Sequence, residues 1–387
     1  MALLDAVFGS PAAEAETDDH AWLRAMLEVE RALALASARV GLIPATAAEA
    51  IAAACDPAVG RFDLTAIGLA AATHATPVIA LVEQLRAAVP AAAAGHVHLA
   101  ATSQDVLDTA AMLVTRRALQ PAIQDAAAVA DLLAGLARTH RVTPMLGRTL
   151  LQPAVPTSYG ATCAARLVAM QESLAGLRSV IRHRLAAQLG GAAGTLAPAG
   201  EHGPALLAQF AAELDLAEPV TPWHTARGRV AELAAAVGVL AGELAGAAQD
   251  VVLLSGFGEL AEGQAGGSSS MPGKRNPARA VLALACAHQV PGLVATVLAG
   301  MPQELQRSAG RWQAEWGTLT NLLRLLGGVA AHTRAAYQGL LVNTGAMARH
   351  LAGSDAGDDL GSADSFVDRA LTRYPAAADL DDREGDG

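Results

Sequence analysis

Residues 226–255 read ARGRVAELAAAVGVLAGELAGAAQDVVLLS, an almost unbroken alanine- and leucine-rich stretch without proline. Alanine and leucine stand at the top of the helix scale, and the alternation of β-branched and aromatic residues that marks a strand is missing. The stretch reads as one long helix. Stretches of similar composition at about 122–140, 160–189, 277–300 and 313–345 give further helices. Lengths of roughly 20–30 residues exceed the ordinary globular range, so these helices should pack lengthwise in a bundle. The expected fold class is all-α.

Shorter elements flank them. Thr17, Asp18 and Asp19 offer caps for a helix carrying Leu23, Met26, Leu27, Glu30, Leu33 and Leu35, stopped by Gly41 and Pro44. A second helical region covers about 45–90, interrupted near Asp56-Pro57 and Thr76-Pro77. Thr102 and Asp105 have the spacing of a capping box, and the helix they open should run to Pro121. Glycine-rich breaks fall at Gly190–Gly194, which reads equally as a linker, and at Gly256–Gly273. After Gly353 the composition turns to Asp, Gly and Ser, with one helical patch at Phe366–Tyr374 and an expected disordered tail from Ala376. The expected division is an N-terminal helical domain (1–101), a central bundle (102–345) carrying a catalytic loop at 256–276, and a reduced C-terminal segment (346–387).

Composition excludes several classes. With 52% hydrophobic and 17% charged residues, the 387-residue chain is too apolar for wholesale disorder. A net charge of −10 without a Lys/Arg run removes the footprint of a nucleic-acid binder. Cys55, Cys163 and Cys286 are too far apart for a CxxC metal site and odd in number, so they read as small buried hydrophobes in a reducing compartment. The histidines lack ligand spacing, and neither metal nor cofactor is expected. No unbroken apolar run of ~18 residues and no basic N-terminal region stand out, so a cytoplasmic protein without a membrane span is expected.

The second break carries chemistry. Gly266-Gly-Ser-Ser-Ser-Met-Pro-Gly-Lys-Arg-Asn-Pro277 lies directly before a helix, with Asn276 placed to cap it and Pro277 suited to its first position. Free N–H groups at a helix start attract an anion, and Lys274 adds a formal charge. Lys274 is the only lysine in the chain, among 27 basic residues. Its position points to a need for a compact ammonium rather than a guanidinium, although a serine-rich loop with one lysine, taken alone, reads more readily as a flexible surface loop.

Gly267–Pro277 resembles the GSSxMPxKxNP signature of the fumarase/aspartase superfamily at every defined position. Two earlier segments resemble its other motifs. His98-Leu-Ala-Ala-Thr-Ser-Gln-Asp-Val-Leu-Asp-Thr109 is similar to HxGxTSxDxxDT, with Ala100 in place of glycine, and Gly147-Arg-Thr-Leu-Leu-Gln152 to GRTHxQ, with Leu150 in place of histidine. Within the superfamily the chain is most similar to the bacterial 3-carboxy-cis,cis-muconate cycloisomerases, through Ala38–Pro44, Thr143–Met145, Gly190–Leu196, Pro222–Thr225 and Gly310–Trp316 among others.

The resemblance implies a three-domain α-fold, a homotetramer whose active sites draw on three chains, and a small tricarboxylate as substrate. It implies Ser268 as the group that exchanges a proton alpha to a carboxylate, with Lys274 and Asn276 stabilising the resulting aci-carboxylate. His98 reads as a carboxylate donor or proton relay, and equally as a satisfied polar residue. Thr102, Ser103, Arg148, Thr149, Gln152, Ser269 and Met271 are the implied substrate contacts. His224 reads as a structural cap, and Trp312 and Trp316, four apart, as core. The segment 254–259 is more glycine-rich than the resemblance leads one to expect, and about 40 residues stand where it implies a C-terminal helical domain, as a degenerate domain or a shortened chain would give.

Leu150 narrows the chemistry. A histidine there assists basic leaving groups, whereas a carboxylate of pKa about 4 departs without a proton. That suits lactonisation and its reverse, and suits nitrite loss from nitrosuccinate equally. A silent helical assembly protein is a further reading, opposed by Ser268, Lys274 and Asn276. If Lys274 meets a substrate carboxylate, Lys274→Arg does not preserve turnover; wild-type kcat/KM in that variant would make the lone lysine an accident.

Overall fold

Alanine at every fourth position decides how the longest helix meets its neighbours. The computed structural model describes residues 7–56, 62–264, 266–271 and 273–373. The expectations for Pro57 and for the tail from Ala376 lie outside them. The chain opens with α1 (Pro11–Ala15), α2 (Asp19–Arg39), α3 (Ala45–Ala54), α4 (Leu64–His74), α5 (Val78–Ala88) and α6 (Ala91–Ala94). Then come α7 (Ser103–Thr139), a hairpin of β1 (Pro144–Thr149) and β2 (Gln152–Ser158), and α8 (Tyr159–Arg184). The remainder is α9 (Gly203–Glu213), α10 (Gly228–Gly256), β3 (Leu260–Ala261), α11 (Ala278–Ala287), α12 (Val290–Ala299), α13 (Arg311–Tyr337), β4 (Leu341–Val342), α14 (Thr344–Ala352) and α15 (Ala363–Arg373).

Helices α7, α8, α10 and α13 close a ring, α7 packing on α8, α8 on α10, α10 on α13 and α13 on α7. Along α7, Ala110, Val114, Ala118, Ala122, Ala126, Ala130 and Ala134 are all buried. Small side chains on an i±4 row form a shallow groove into which neighbouring ridges fit. Helix α2 lies on α7, and α15 on α8. The fold is the expected all-α bundle, and its strands among the described residues form two antiparallel pairs, β1–β2 and β3–β4.

Three local expectations are corrected, and one stretch without an expected element takes shape. Pro121 does not end its helix: α7 runs through it. An interior proline costs about 3 kcal/mol, and here Ala118, Leu119, Ala122 and Ile123, buried on both sides of it, keep the helix intact. The stretch 277–300 divides at His288 and Gln289, where Pro291 begins α12 without an N–H to continue the ladder. Helix α13 stops at Tyr337 rather than near 345. Finally, 144–158 is a hairpin, since Pro144, Pro153 and Pro156 exclude a helix. Its register shifts beside Gly147, where a Cβ would stand 2.4 Å from the Val155 carbonyl oxygen.

Two segments, Gly228–Gly256 and Ala278–Ala299, are long and apolar enough to cross a membrane by length and composition, contrary to the expectation that none would be. In this fold they pack with one another and with α13. The second leaves most of its residues uncovered, 28% being buried. All three cysteines are buried and free; burial pushes the Cys286 thiol up to about 11.

Where α7, α10 and α13 meet, Arg227 is buried between two carboxylates. Its Nη1 and Nη2 donate to Asp108 at 2.7 and 3.0 Å, and its Nε donates to Glu315 at 3.1 Å. Trp312 Nε1 donates to Asp108 and Gln303 to Glu315, so the expected core tryptophan also closes this network. Removing the cation would leave two buried carboxylates facing each other. Arg227→Met should therefore destabilise the fold by about 3–5 kcal/mol, read as a lower denaturant midpoint. An unchanged midpoint would contradict this account of the ring's junction.

Candidate active site

The first motif is assembled around one carboxylate. Asp105, in the first turn of α7, is buried. Its Oδ2 accepts the N–H groups of Thr102 at 3.0 Å and Gly191 at 2.8 Å, and its Oδ1 accepts Gly190 N–H at 3.0 Å and His224 Nε2 at 2.7 Å. Burial pushes this carboxyl up, while His224 and the amides pull the other way. Because every partner can donate, the cradle fits the ionised form. His224 is thus the partner of Asp105, not a helix cap. The Gly190–Gly194 break is a held loop rather than a linker. Gly191 has φ +67°, and a Cβ on it would come within 2.8 Å of the Ala100 carbonyl oxygen.

Ala100 itself has φ +63° and His98 φ +62°. The left-handed conformation explains why glycine is usual at the position of Ala100 and puts strain into the turn that presents His98, Thr102 and Ser103. Thr102 and Ser103 are half-buried beside it. His98 Nδ1 lies 2.6 Å from Glu30 Oε1. Arg307, which the sequence did not single out, donates to Gln104 Oε1 and to the carbonyls of Gly191 and Ala192.

The second motif sits on the β1–β2 hairpin. Arg148 donates to both oxygens of the fully buried Glu259, at 3.0 and 2.7 Å, and lies over the Phe257 ring at 4.2 Å. Two of its nitrogens thus tie the hairpin to the segment that follows α10. His350 Nδ1 reaches the same Glu259 at 2.6 Å, drawing α14 into the group. Leu150 and Leu151 form the hairpin tip with φ of 51° and 64°, and Leu150 is 97% exposed. Thr149 and Gln152 flank them, also exposed.

The third motif is a loop pinned at its stem. Gly266 and Asn276 exchange backbone hydrogen bonds of 2.9 and 2.8 Å. Buried Glu262 accepts the N–H groups of Arg279 at 3.2 Å and Ala280 at 2.8 Å, while Arg275 donates to its carbonyl. The start of α11 is therefore already occupied by this chain's own carboxylate, which corrects the expectation of an open anion site there. Asn276 is not the cap either: its Nδ2 donates to the Gly267 carbonyl, and Pro277 stands at the N-cap. At the tip, Ser268 Oγ accepts the N–H of Met271 at 3.1 Å and of Ser270 at 3.4 Å. Ser269, Met271 and Lys274 are exposed around it.

Glu259 and Glu262 bring the hairpin and the loop stem to one end of α10. The first motif gathers elsewhere, with the 190–194 loop and Arg307. Among the described residues no hydrogen bond or ion pair joins these two groups within the chain. The sequence reading missed Glu259, Glu262 and Arg307 as organisers. Their roles come from contacts between distant segments, which spacing along the chain does not record.

A long-helix bundle with a serine-, lysine- and asparagine-bearing loop before a helix defines an enzyme of the lyase class. The chain belongs to the lyase family, the fumarase/aspartase superfamily: the family model described as lyase matches residues 7–292. It is 42% identical over 358 residues to a 3-carboxy-cis,cis-muconate cycloisomerase of Bradyrhizobium diazoefficiens, covering 90% of this chain and 79% of that protein. It is also 42% identical to a nitrosuccinate lyase of Streptomyces davaonensis, covering 90% and 76%. Among solved structures, 3-carboxy-cis,cis-muconate lactonizing enzyme from Pseudomonas putida superposes with a TM-score of 0.89 at 33% identity, covering 96% of this chain and 98% of that one.

Gly191→Ala should lower stability by about 1–3 kcal/mol, since it combines a left-handed φ with a backbone collision. Gly176→Ala, with open space on α8, should be neutral or stabilising. Thermal melts of the two variants check this; equal melting temperatures would contradict the packing described for the loop.

Proposed function

We propose that this chain is a cycloisomerase that converts 3-carboxy-cis,cis-muconate to γ-carboxymuconolactone. A carboxylate oxygen of the substrate adds to the beta carbon of a C=C bond conjugated to a second carboxylate. The electron pair moves into that carboxylate as an aci-carboxylate, and a proton is then delivered to the alpha carbon. The observation that carries the reading is the setting of Ser268, whose Oγ accepts two loop N–H groups. Donors aimed at this oxygen favour its alkoxide, so the hydroxyl can release its proton to carbon and regain one from solvent. Lys274 and Asn276 stabilise the aci-carboxylate, Ser269 and Met271 line the loop, and His98, Thr102, Ser103, Thr149 and Gln152 contact the remaining carboxylates. Leu150 at the hairpin tip fits a reaction in which no acid is needed on the oxygen side.

A homotetramer with sites shared between chains goes with this reading. The uncovered apolar faces of α11 and α12 support it, as does the separation of the first motif from the other two within one chain. The division into 1–101, 102–345 and 346–387 and a cytoplasmic location are proposed with it.

The similarity to the Streptomyces davaonensis protein favours a second reading, elimination of nitrite from nitrosuccinate. Following the ultraviolet absorbance of the muconate, the wild-type protein should turn over 3-carboxy-cis,cis-muconate with a higher kcat/KM than nitrosuccinate. Ser268→Ala should lose at least ~100-fold in kcat, while Ser269→Ala and Ser270→Ala stay much milder. Turnover of nitrosuccinate alone would replace the first reading with the second, and equal losses in all three variants would remove Ser268 as the proton donor.

A further inference from the structure

Glu30 lies against the first motif from outside all three motifs. It lies on α2, 68 positions from His98 in sequence, and its side chain is 0% exposed. Oε1 meets His98 Nδ1 at 2.6 Å, while Oε2 is buried without a hydrogen-bond partner. Ser37 and Thr115 also carry buried, unpartnered oxygens, but those are neutral hydroxyls whose lost bond costs little beside that of a carboxylate oxygen. A carboxylate held with one open oxygen in the interior is costly unless its single partner is a strong, charged one.

The partner is specialised too. His98 is held in a left-handed backbone conformation, φ 62°, which an unconstrained histidine rarely adopts. The turn aims its ring so that Nδ1 meets Glu30. Nε2 has no hydrogen-bond partner among the described residues, and the side chain is 15% exposed. One nitrogen is locked in the interior and the other is left open.

We propose that Glu30 is a positioning residue, which fixes His98 with its Nδ1–H on the carboxylate and presents Nε2–H of a charged imidazolium to a carboxylate of the substrate. This deepens the function proposed above and rests on it for the identity of the ligand. The charged groups around the imidazole act in both directions. Burial disfavours its charge, Glu30 and Asp105 favour it, Arg86 opposes it, and the net direction is upward. Arg86 is turned to the Val97 carbonyl at 3.4 Å, and the Asp105 charge is shared with His224 and three amides. Among the described residues Glu30 is thus the one carboxylate hydrogen-bonded to the ring. A raised pKa means that the charged form is present below the ordinary histidine range and is lost only as the pH climbs through the raised value.

The test begins on the unaltered protein. With 15N-labelled histidine and no ligand, the His98 signals, assigned by their loss in His98→Gln, should titrate above the ordinary value of about 6.5, with Nδ1 remaining protonated once the ring is neutral. In Glu30→Gln the same titration should move down by about one unit or more, a tenfold or larger change in the proton equilibrium. The alkaline limb of kcat/KM for 3-carboxy-cis,cis-muconate should move with it, through KM more than kcat. Glu30→Asp should recover part of both shifts. A His98 that titrates at or below the ordinary value in the wild type, or protonated Nε2 in the neutral ring, would overturn the proposal without any variant having to fold. An unchanged titration in Glu30→Gln would do the same. Because the titration needs no substrate, failure of the cycloisomerase reading would show as absent turnover with the titration intact.

Discussion

The turn that opens the first motif is tied to the rest of the fold by the carboxylate of Asp105. One buried oxygen pair ties three segments that are far apart in sequence: the start of α7, the amides of Gly190 and Gly191, and the imidazole of His224. A buried charge is tolerated only when its lone pairs are filled, and here four donors converge on it. The constraint propagates outward. Gly191 must lie against the Ala100 carbonyl, so the turn before α7 is compressed into left-handed backbone. That compressed turn is what aims His98 and sets Thr102 and Ser103 beside it. Arg307 closes the far side by holding the Gly191 and Ala192 carbonyls.

The rest of the helix frame serves a similar purpose through buried charge. One turn beyond Asp105, Asp108 shares Arg227 with Glu315 and anchors α7 to the start of α10 and to α13. At the other end of α10, Glu259 takes the hairpin arginine Arg148 and the α14 histidine His350, and Glu262 takes the first amides of α11. Each anchor pins a loop or hairpin that carries a motif, while the alanine-lined ring supplies the rigid scaffold between them. The loop tip around Ser268 is held chiefly by the loop's own N–H groups.

Much of this was legible in the sequence, and the parts that were not have a common physical cause. The alanine-rich helices, the Thr102–Asp105 start of α7 and the buried thiols follow from local composition and spacing. Pro121 misled because a local rule was outweighed by tertiary burial on both sides of it. The hairpin at 144–158 lacked the β-branched alternation of an ordinary strand pair and is set instead by prolines and the register shift at Gly147. The helix-start anion site looked open because its occupant, Glu262, lies across the loop rather than next to the helix. Arg148 matched a motif, yet the motif could not say that Glu259 already fills its fork. In each case a contact between distant segments decided the outcome.

In the proposed reaction a carboxylate adds across a double bond and this chain delivers the proton to the adjacent carbon. The most direct measurement is the reaction of 3-carboxy-cis,cis-muconate in D2O, with the lactone examined by proton NMR. The account predicts a γ-carboxymuconolactone carrying one deuterium at the alpha carbon, on a single face, formed far faster than without protein. A lactone deuterated on both faces at the uncatalysed rate would contradict it.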